Sequence, residues 1–331
     1  MSRHRVALAA AVVIATMLSG CAGDDPTASD AQDTTVVVPS PSTPAVDTAG
    51  ATETSVAPSE PELGPPSRLV GELDGIALAA AFDTAFTAVL DPATAAADVA
   101  AAGVQIQLLL RYLANHSDLD ATVVAALGPS SRPTLERIVA ARQFGQARAA
   151  ADPTPSEPSA SLPAWTIVAP EPVDVLRGHY DAAEALTGVP WYWLAAINVQ
   201  ETRMGRIVGV SSAGATGPMQ FLPSTWAECC TGDLTLTGDA IMGAATYLAQ
   251  SGAPTDMQAA VHQYNPNDSY VMTVTAYAES LRDQPALLPA FHAWQVFIAS
   301  TAGTVRLPIG FTASEPIDAA TYLAAHPADA A

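Results

Sequence analysis

The chain has 331 residues, of which 49% are hydrophobic and only 14% charged, and its formal net charge is −20 with all thirteen basic residues arginine. So acidic a surface repels nucleic-acid phosphates and anionic headgroups, which excludes a nucleic-acid binder and a polybasic membrane-surface protein. The length leaves room for a sizeable core and about two domains.

The first element is N-terminal. Arg3 and Arg5 precede an apolar run from Val6 to Leu18. That run is too short to span a bilayer, which takes about 20 residues, and has the length of a secretory signal core. It ends in Leu18-Ser19-Gly20-Cys21, which resembles a bacterial lipoprotein cleavage box. The resemblance implies that residues 1–20 are a signal peptide and that Cys21 carries a lipid anchor holding the protein to the cell membrane, facing the wall; two acyl chains suffice for stable anchoring. Residues 21–66 are rich in Pro, Ser, Thr, Ala and Asp and nearly free of aromatics. That composition cannot bury a core and reads as a disordered tether. It would span roughly 40 Å as a flexible coil and ~140 Å as extended polyproline.

Residues 67–150 change to alanine and leucine, with Val104, Leu108, Leu109 and Leu113 at helical intervals. Breaks at Asp91-Pro92, Asn115 to Asp118 and Gly128-Pro129 divide them into about four helices. They read as a small helical accessory domain without catalytic residues, either a brace for the next domain or a surface for envelope protein partners. A second Pro/Ser linker covers 151–163. The body that carries chemistry runs from 164 to 312, and 313–331 read as a C-terminal tail.

Within the body, the pattern predicts helices over Pro172–Leu186, ended by Gly188, and from Pro190 through Glu201. Further helices are predicted near Pro223–Glu228, Asp239–Gln250, Thr255–Tyr264 and Asp268–Arg282, with a last one after Pro289 holding Trp294 and Phe297. Gly303–Phe311 reads as a short strand or hairpin. Leu194, Ile197, Glu201 and Met204 fall on one face of a 3.6-residue period, so Glu201 continues an apolar stripe. A carboxylate there needs a partner or a raised pKa, and a raised pKa suits a general acid at neutral pH. Arg203, two residues on, points to another face and is poorly placed to pair with it.

The adjacent Cys229 and Cys230 leave three states open: a strained vicinal disulfide, free thiols, or a link to another chain. The six histidines are scattered without metal-ligand spacing, and no metal or cofactor is expected.

Three segments stand in order: Glu201-Thr202-Arg203-Met204-Gly205-Arg206; the loop from Ser211 through Gly217-Pro218-Met219-Gln220 to Ser224; and Tyr264-Asn265 followed by Ser269-Tyr270. Together they resemble the lytic murein transglycosylases, most closely the membrane-bound type B branch. The resemblance covers roughly residues 172–284. It implies a mainly α, lysozyme-like catalytic domain acting on peptidoglycan glycan strands. It makes Glu201 the single acid/base, Ser211 a partner of the substrate acetamido group or of Glu201, Met219 and Gln220 the lining of the sugar cleft, and Tyr264, Asn265 and Tyr270 its other wall.

Glycoside cleavage ordinarily takes two carboxylates flanking the bond. Glu228, Asp233 and Asp239 sit in a turn-rich, solvated stretch, leaving Glu201 alone. One carboxyl suffices if the N-acetyl oxygen of the sugar acts as nucleophile and the sugar's own C6 hydroxyl as acceptor. That chemistry closes a 1,6-anhydro ring without water. The segment from Thr231 to Asp239 lacks the ligand density of the calcium loop that type B enzymes often carry. A hydrolytic muramidase on the same fold, and a non-catalytic glycan-binding envelope protein, are the rival readings.

Overall fold

The computed structural model describes residues 73–153 and 157–331. The signal peptide, Cys21 and the linker to residue 66 lie outside the described residues. What is described is mainly α. Among the described residues no helix is long and apolar enough to cross a membrane.

Four helices open the chain: α1 (Gly75–Leu90), α2 (Ala96–Asn115), α3 (Asp120–Ala126) and α4 (Arg132–Ala150). Asp74 caps α1, its carboxylate accepting from the Ala77 amide at 2.8 Å, which satisfies one of the helix's orphan donors. Asp83 on α1 holds the turn that leads into α4, accepting from the Gly128 amide and the Ser131 hydroxyl. Buried Arg142 of α4 pairs with buried Asp120 of α3, which also accepts from Gln143 at 2.9 Å.

The next helices are α5 (Val173–Thr187), α6 (Trp191–Thr202), α7 (Pro223–Cys229), α8 (Thr237–Gln250), α9 (Met257–Tyr264), α10 (Asp268–Asp283) and α11 (Leu287–His292). Gly188 ends α5 in the left-handed conformation, φ 75°, and Pro190 stands just before α6. Both are the stop and start signals that the sequence carries. Every residue of α6 except Tyr192 is buried. Helix α6 therefore has no wet side, and the one-face stripe is not what buries Glu201: neighbours cover it all round, as expected of a helix in the middle of a core. Met204, which the period put on that face, lies beyond the helix end in a left-handed conformation, φ 61°.

One hydrophobic core runs from Leu78 in α1 to Trp294 after α11. Helix α10 packs against α4 on one side and α6 on the other. Along the α4–α10 seam Thr134 donates to Gln284 at 2.9 Å, and Arg137 pairs with Glu279 and Asp283. Those ion pairs are partly exposed and contribute about 0–1 kcal/mol each; the shared apolar core carries the association.

A second, smaller core gathers Leu162, Trp165, Ile167, Ile207, Val296, Val305, Phe311 and Tyr322. It is built from short antiparallel pairs. Strand β1 (Ser161–Leu162) pairs with β6 (Ile317–Asp318), β2 (Thr166–Ile167) with β3 (Ile207–Val208), and β4 (Val296–Ser300) with β5 (Gly303–Leu307). Helix α12 (Ala319–Ala325) closes it. Phe297 thus lies on strand β4 and not on a last helix: Val296 to Ile298 are buried in succession, the pattern of a strand covered on both faces. The stretch from 313 onward folds into this unit through β6 and α12. Gln107 of α2 joins the two cores, exchanging hydrogen bonds of 2.9 and 2.8 Å with the Gln295 backbone at the foot of β4.

Candidate active site

Helix α6 delivers Glu201 on its last turn, 5% exposed. Helix α10 delivers Tyr270 on its first turn. The side chain of Asn267 caps α10 by accepting from the Ser269 and Tyr270 amides at 2.8 and 3.2 Å, which fixes where that turn begins. The Tyr270 hydroxyl then donates to Glu201 Oε1 at 2.6 Å. Burial pushes the Glu201 carboxyl up to about 7; the Tyr270 hydrogen bond and the charge of Arg203 pull it the other way and lose. At neutral pH the group is poised to give and take a proton.

Arg203 acts on Glu201 through its field and not through contact. It caps α6 in a left-handed conformation, φ 55°, and its buried guanidinium donates to the Val199 and Gln200 carbonyls. Arg203, Met204 and Gly205 are left-handed in succession. Such a run in non-glycine residues is strained and persists only where surroundings over-determine it.

Those surroundings are a polar network at the end of α6. Asn198 Nδ2 donates to the Pro218 carbonyl at 2.9 Å, and the Thr202 hydroxyl to the same carbonyl at 2.6 Å. Tyr180 of α5 donates to Asn198 Oδ1 at 2.8 Å, and the Gly205 amide to Thr202 Oγ1 at 2.9 Å. All three side chains are buried, so each bond broken would leave a polar atom unsolvated. The network pins the Gly217–Gln220 turn to the helix that carries Glu201.

That turn is closed by the paired backbones of Thr216 and Phe221, at 2.9 and 3.0 Å. Gly217 has φ 79°, and a Cβ there would meet the Leu234 carbonyl oxygen at 2.0 Å. Only glycine lets the Thr231–Leu236 segment lie against the turn. Gln220 is left-handed at φ 50° and 6% exposed. Its Nε2 donates to the Gly217 carbonyl at 3.0 Å, while Oε1 is buried without a hydrogen-bond partner. A buried amide oxygen left open in this way is what a donor on a ligand would satisfy.

The predicted site residues divide. Glu201 and Tyr270 are in direct contact. Tyr264, the last residue of α9, donates its hydroxyl to the Met219 carbonyl, and Asn265 follows it as the buried C-cap. The field of Glu201 helps push the Tyr264 hydroxyl's pKa well up, after burial itself. Met219 has a wholly buried side chain, so its link to the site is its carbonyl. Ser211 is buried, but its hydroxyl oxygen accepts from the Ala215 amide at 3.0 Å within its own loop and does not bond Glu201. Among these residues, hydrogen bonds join Tyr270 to Glu201 and Tyr264 to Met219, the neighbour of Gln220, while the Ser211 hydroxyl bonds within its own loop.

Asn198, Thr202 and Tyr180 are the residues that sequence reasoning missed. A signal existed: Asn198 and Thr202 are polar and four apart on a helix that opens with seven largely apolar residues, Trp191 to Ile197, and buried polar pairs demand partners. Among the described residues no group of three or more His, Cys, Asp or Glu is placed to hold a metal ion.

No protein-family model matches the chain, and no solved structure matches it. Over 80 residues it is 34% identical to the membrane-bound lytic murein transglycosylase F of Thiobacillus denitrificans (strain ATCC 25259 / T1). Those residues are 24% of this chain and 17% of that relative, so the chain spans under a fifth of the relative's length. The likeness supports a relationship to a lytic transglycosylase over that stretch alone, and it does not support the type B branch that the motifs favour.

Proposed function

We propose that the protein is a peptidoglycan lytic transglycosylase, a carbon–oxygen lyase. It would cleave the β-1,4 bond between N-acetylmuramic acid and N-acetylglucosamine without water and leave 1,6-anhydro ends. The observation that carries this reading is the buried Glu201 carboxyl, pushed up to about 7 and held by Tyr270. It lies on a segment locked to the Gln220 turn by the Asn198–Thr202 network. The likeness to a protein named for lytic murein transglycosylase activity supports the substrate class.

In this mechanism Glu201, protonated, gives its proton to the leaving glycosidic oxygen while the acetamido oxygen of the sugar attacks the anomeric carbon. Tyr270 holds Oε1 and leaves the other oxygen for the substrate. Glu201 then takes the proton of the C6 hydroxyl as that oxygen attacks the anomeric carbon, displaces the acetamido oxygen and closes the anhydro ring. The open Gln220 Oε1 accepts from the sugar, and Tyr264 and Asn265 shape the opposite wall. Ser211 and Met219 contribute through the loop and the backbone. The type B assignment, the lipid anchor at Cys21, the position at the cell membrane facing the wall, and envelope partners for residues 67–150 belong to the same proposal.

The test is digestion of purified sacculi by the wild type and by Glu201→Gln, with mass analysis of the released fragments. Anhydro ends that vanish in the variant support the proposal. Reducing ends would point to a hydrolytic muramidase, and binding without release by both proteins to a glycan-binding envelope protein.

A further inference from the structure

We propose that the Cys229–Cys230 bond is a positioning clamp for the cleft wall that carries Gln220 and Tyr264, a proposal that rests on the cleft reading above. The two cysteines form a disulfide between adjacent residues. A disulfide stabilises a fold chiefly by removing loop-closure entropy from the unfolded chain, and the effect grows with the loop that is closed. A bond between neighbours closes no loop. Its consequence is therefore local, and its surroundings show where the effect lands.

The ring sits at the C-terminal end of α7. Cys230 is the C-cap, its amide donating to the Trp226 carbonyl at 3.0 Å, and its Sγ lies 3.6 Å from the Gly243 carbonyl of α8. Trp226, one turn earlier, packs against Gly243, where a Cβ would come within 2.3 Å of the indole. The clamp thus fixes the end of α7 on α8, with Trp226 sandwiched at the seam. From there rings lead inward: Trp226 meets Phe221 edge to face at 5.2 Å, and Phe221 meets Tyr264 at 5.5 Å. Phe221 is also the residue whose backbone closes the Gln220 turn against Thr216, and Tyr264 holds the Met219 carbonyl. Any tilt of α7 moves Trp226, and through Phe221 it moves both sides of the wall, because packed aromatic contacts have little slack. Glu201 and Tyr270 lie outside this chain of contacts, on α6 and α10. Loosening the clamp changes sugar binding more than it changes proton transfer.

Both cysteines are half-buried, so a small reductant reaches them. Dithiothreitol supplies two electrons and two protons, becomes its own cyclic disulfide, and leaves two cysteine thiols. The experiment uses the full chain and soluble, uncrosslinked glycan strands. It compares the oxidised wild type, the wild type held in dithiothreitol, and the double variant Cys229→Ala/Cys230→Ala. Expected on reduction is a rise in KM of roughly 10-fold with kcat little changed, below the ~100-fold that a 1 Å misplacement can cost. The near-UV dichroism of the tryptophans should change, Tm should move little, and reoxidation should restore KM in the wild type alone. A KM that is the same oxidised and reduced overturns the clamp. So does a large fall in Tm with loss of kcat, which would make the bond a staple of the whole fold. If the double variant does not fold, the wild-type reduction series decides. If the oxidised wild type releases nothing from the strands, the functional reading fails, and the clamp stands or falls on the tryptophan dichroism alone.

Discussion

Glu201 of the large core and Asp329 of the small one, both buried, show how differently the same residue chemistry can be used. Asp329 in the small β-rich unit is 6% exposed and is fully met: Arg306 donates to it through Nε and Nη2 at 3.1 and 2.7 Å, and Tyr322 donates at 2.8 Å. Glu201 in the large helical core is 5% exposed and is held by a phenol, while the cation that acts on it, Arg203, spends its hydrogen bonds on backbone carbonyls. A forked guanidinium makes a carboxylate part of the architecture. Burial beside a field but without that fork leaves Glu201 near pH 7 with a movable proton. Depth of burial is shared; the partners decide which acid can do chemistry.

The contrast can be broken in order of effect. Glu201→Gln should lower fragment release by about 10³-fold or more, within the range for loss of a general acid/base, while sacculus pelleting shows binding retained. Asp120→Ala should cost about 3–5 kcal/mol in chemical denaturation, because it strands buried Arg142 inside the helices that brace α10. Activity should be lost in step with folding. If residues 164–331 alone keep full activity, those helices are no part of the catalytic body. Asp329→Asn should cost about 3 kcal/mol through the loss of one partner of a buried pair, with specific activity of the folded fraction unchanged. Lost activity without lost stability would erase the distinction between the two acids.

The pH profile sharpens it further. Glu201 must be protonated to start the reaction, so kcat/KM should fall as pH rises through about 7. Tyr270→Phe removes a hydrogen bond that favours the ionised form, so that limb should move to higher pH. A limb that moves down or stays put would deny Tyr270 its role. A further effect is thermal. A carboxyl whose folded pKa is raised leaves the native state holding the extra proton between its unfolded and folded values. Stability from this group is present below about 4.5 and is lost as pH climbs to about 7. Glu201→Gln should therefore raise Tm at pH 8 and leave it nearly unchanged at pH 5.

Reading the helices from sequence worked where local rules govern. The breaks at Asp91-Pro92 and Gly128-Pro129, the stop at Gly188 and the start at Pro190 are backbone facts that need no neighbours. It failed where packing overrides period. Phe297 went to a strand because β4 pairs with β5 just beyond it, and Met204 left its helix where Asn198 and Thr202 bond the Pro218 carbonyl. Trp165 illustrates the same point: its indole donates to the Val210 carbonyl at 3.3 Å and lies where a Cβ on Gly209 would stand, 2.2 Å away. No pattern near Gly209 announces a residue 44 positions earlier.

What the sequence determined by itself is the helical class, the position of Glu201 at a helix end, and the glycines and turn signals around it, since each depends on a residue and its near neighbours. What tertiary structure alone decided is that the first four helices share one core with that carboxyl, that Tyr270 and not Ser211 bonds it, and that Asn198 and Thr202 lock the Gln220 turn beside it. These are contacts between segments distant in the chain, and the raised pKa follows from the water they jointly exclude, which no local pattern of residues records.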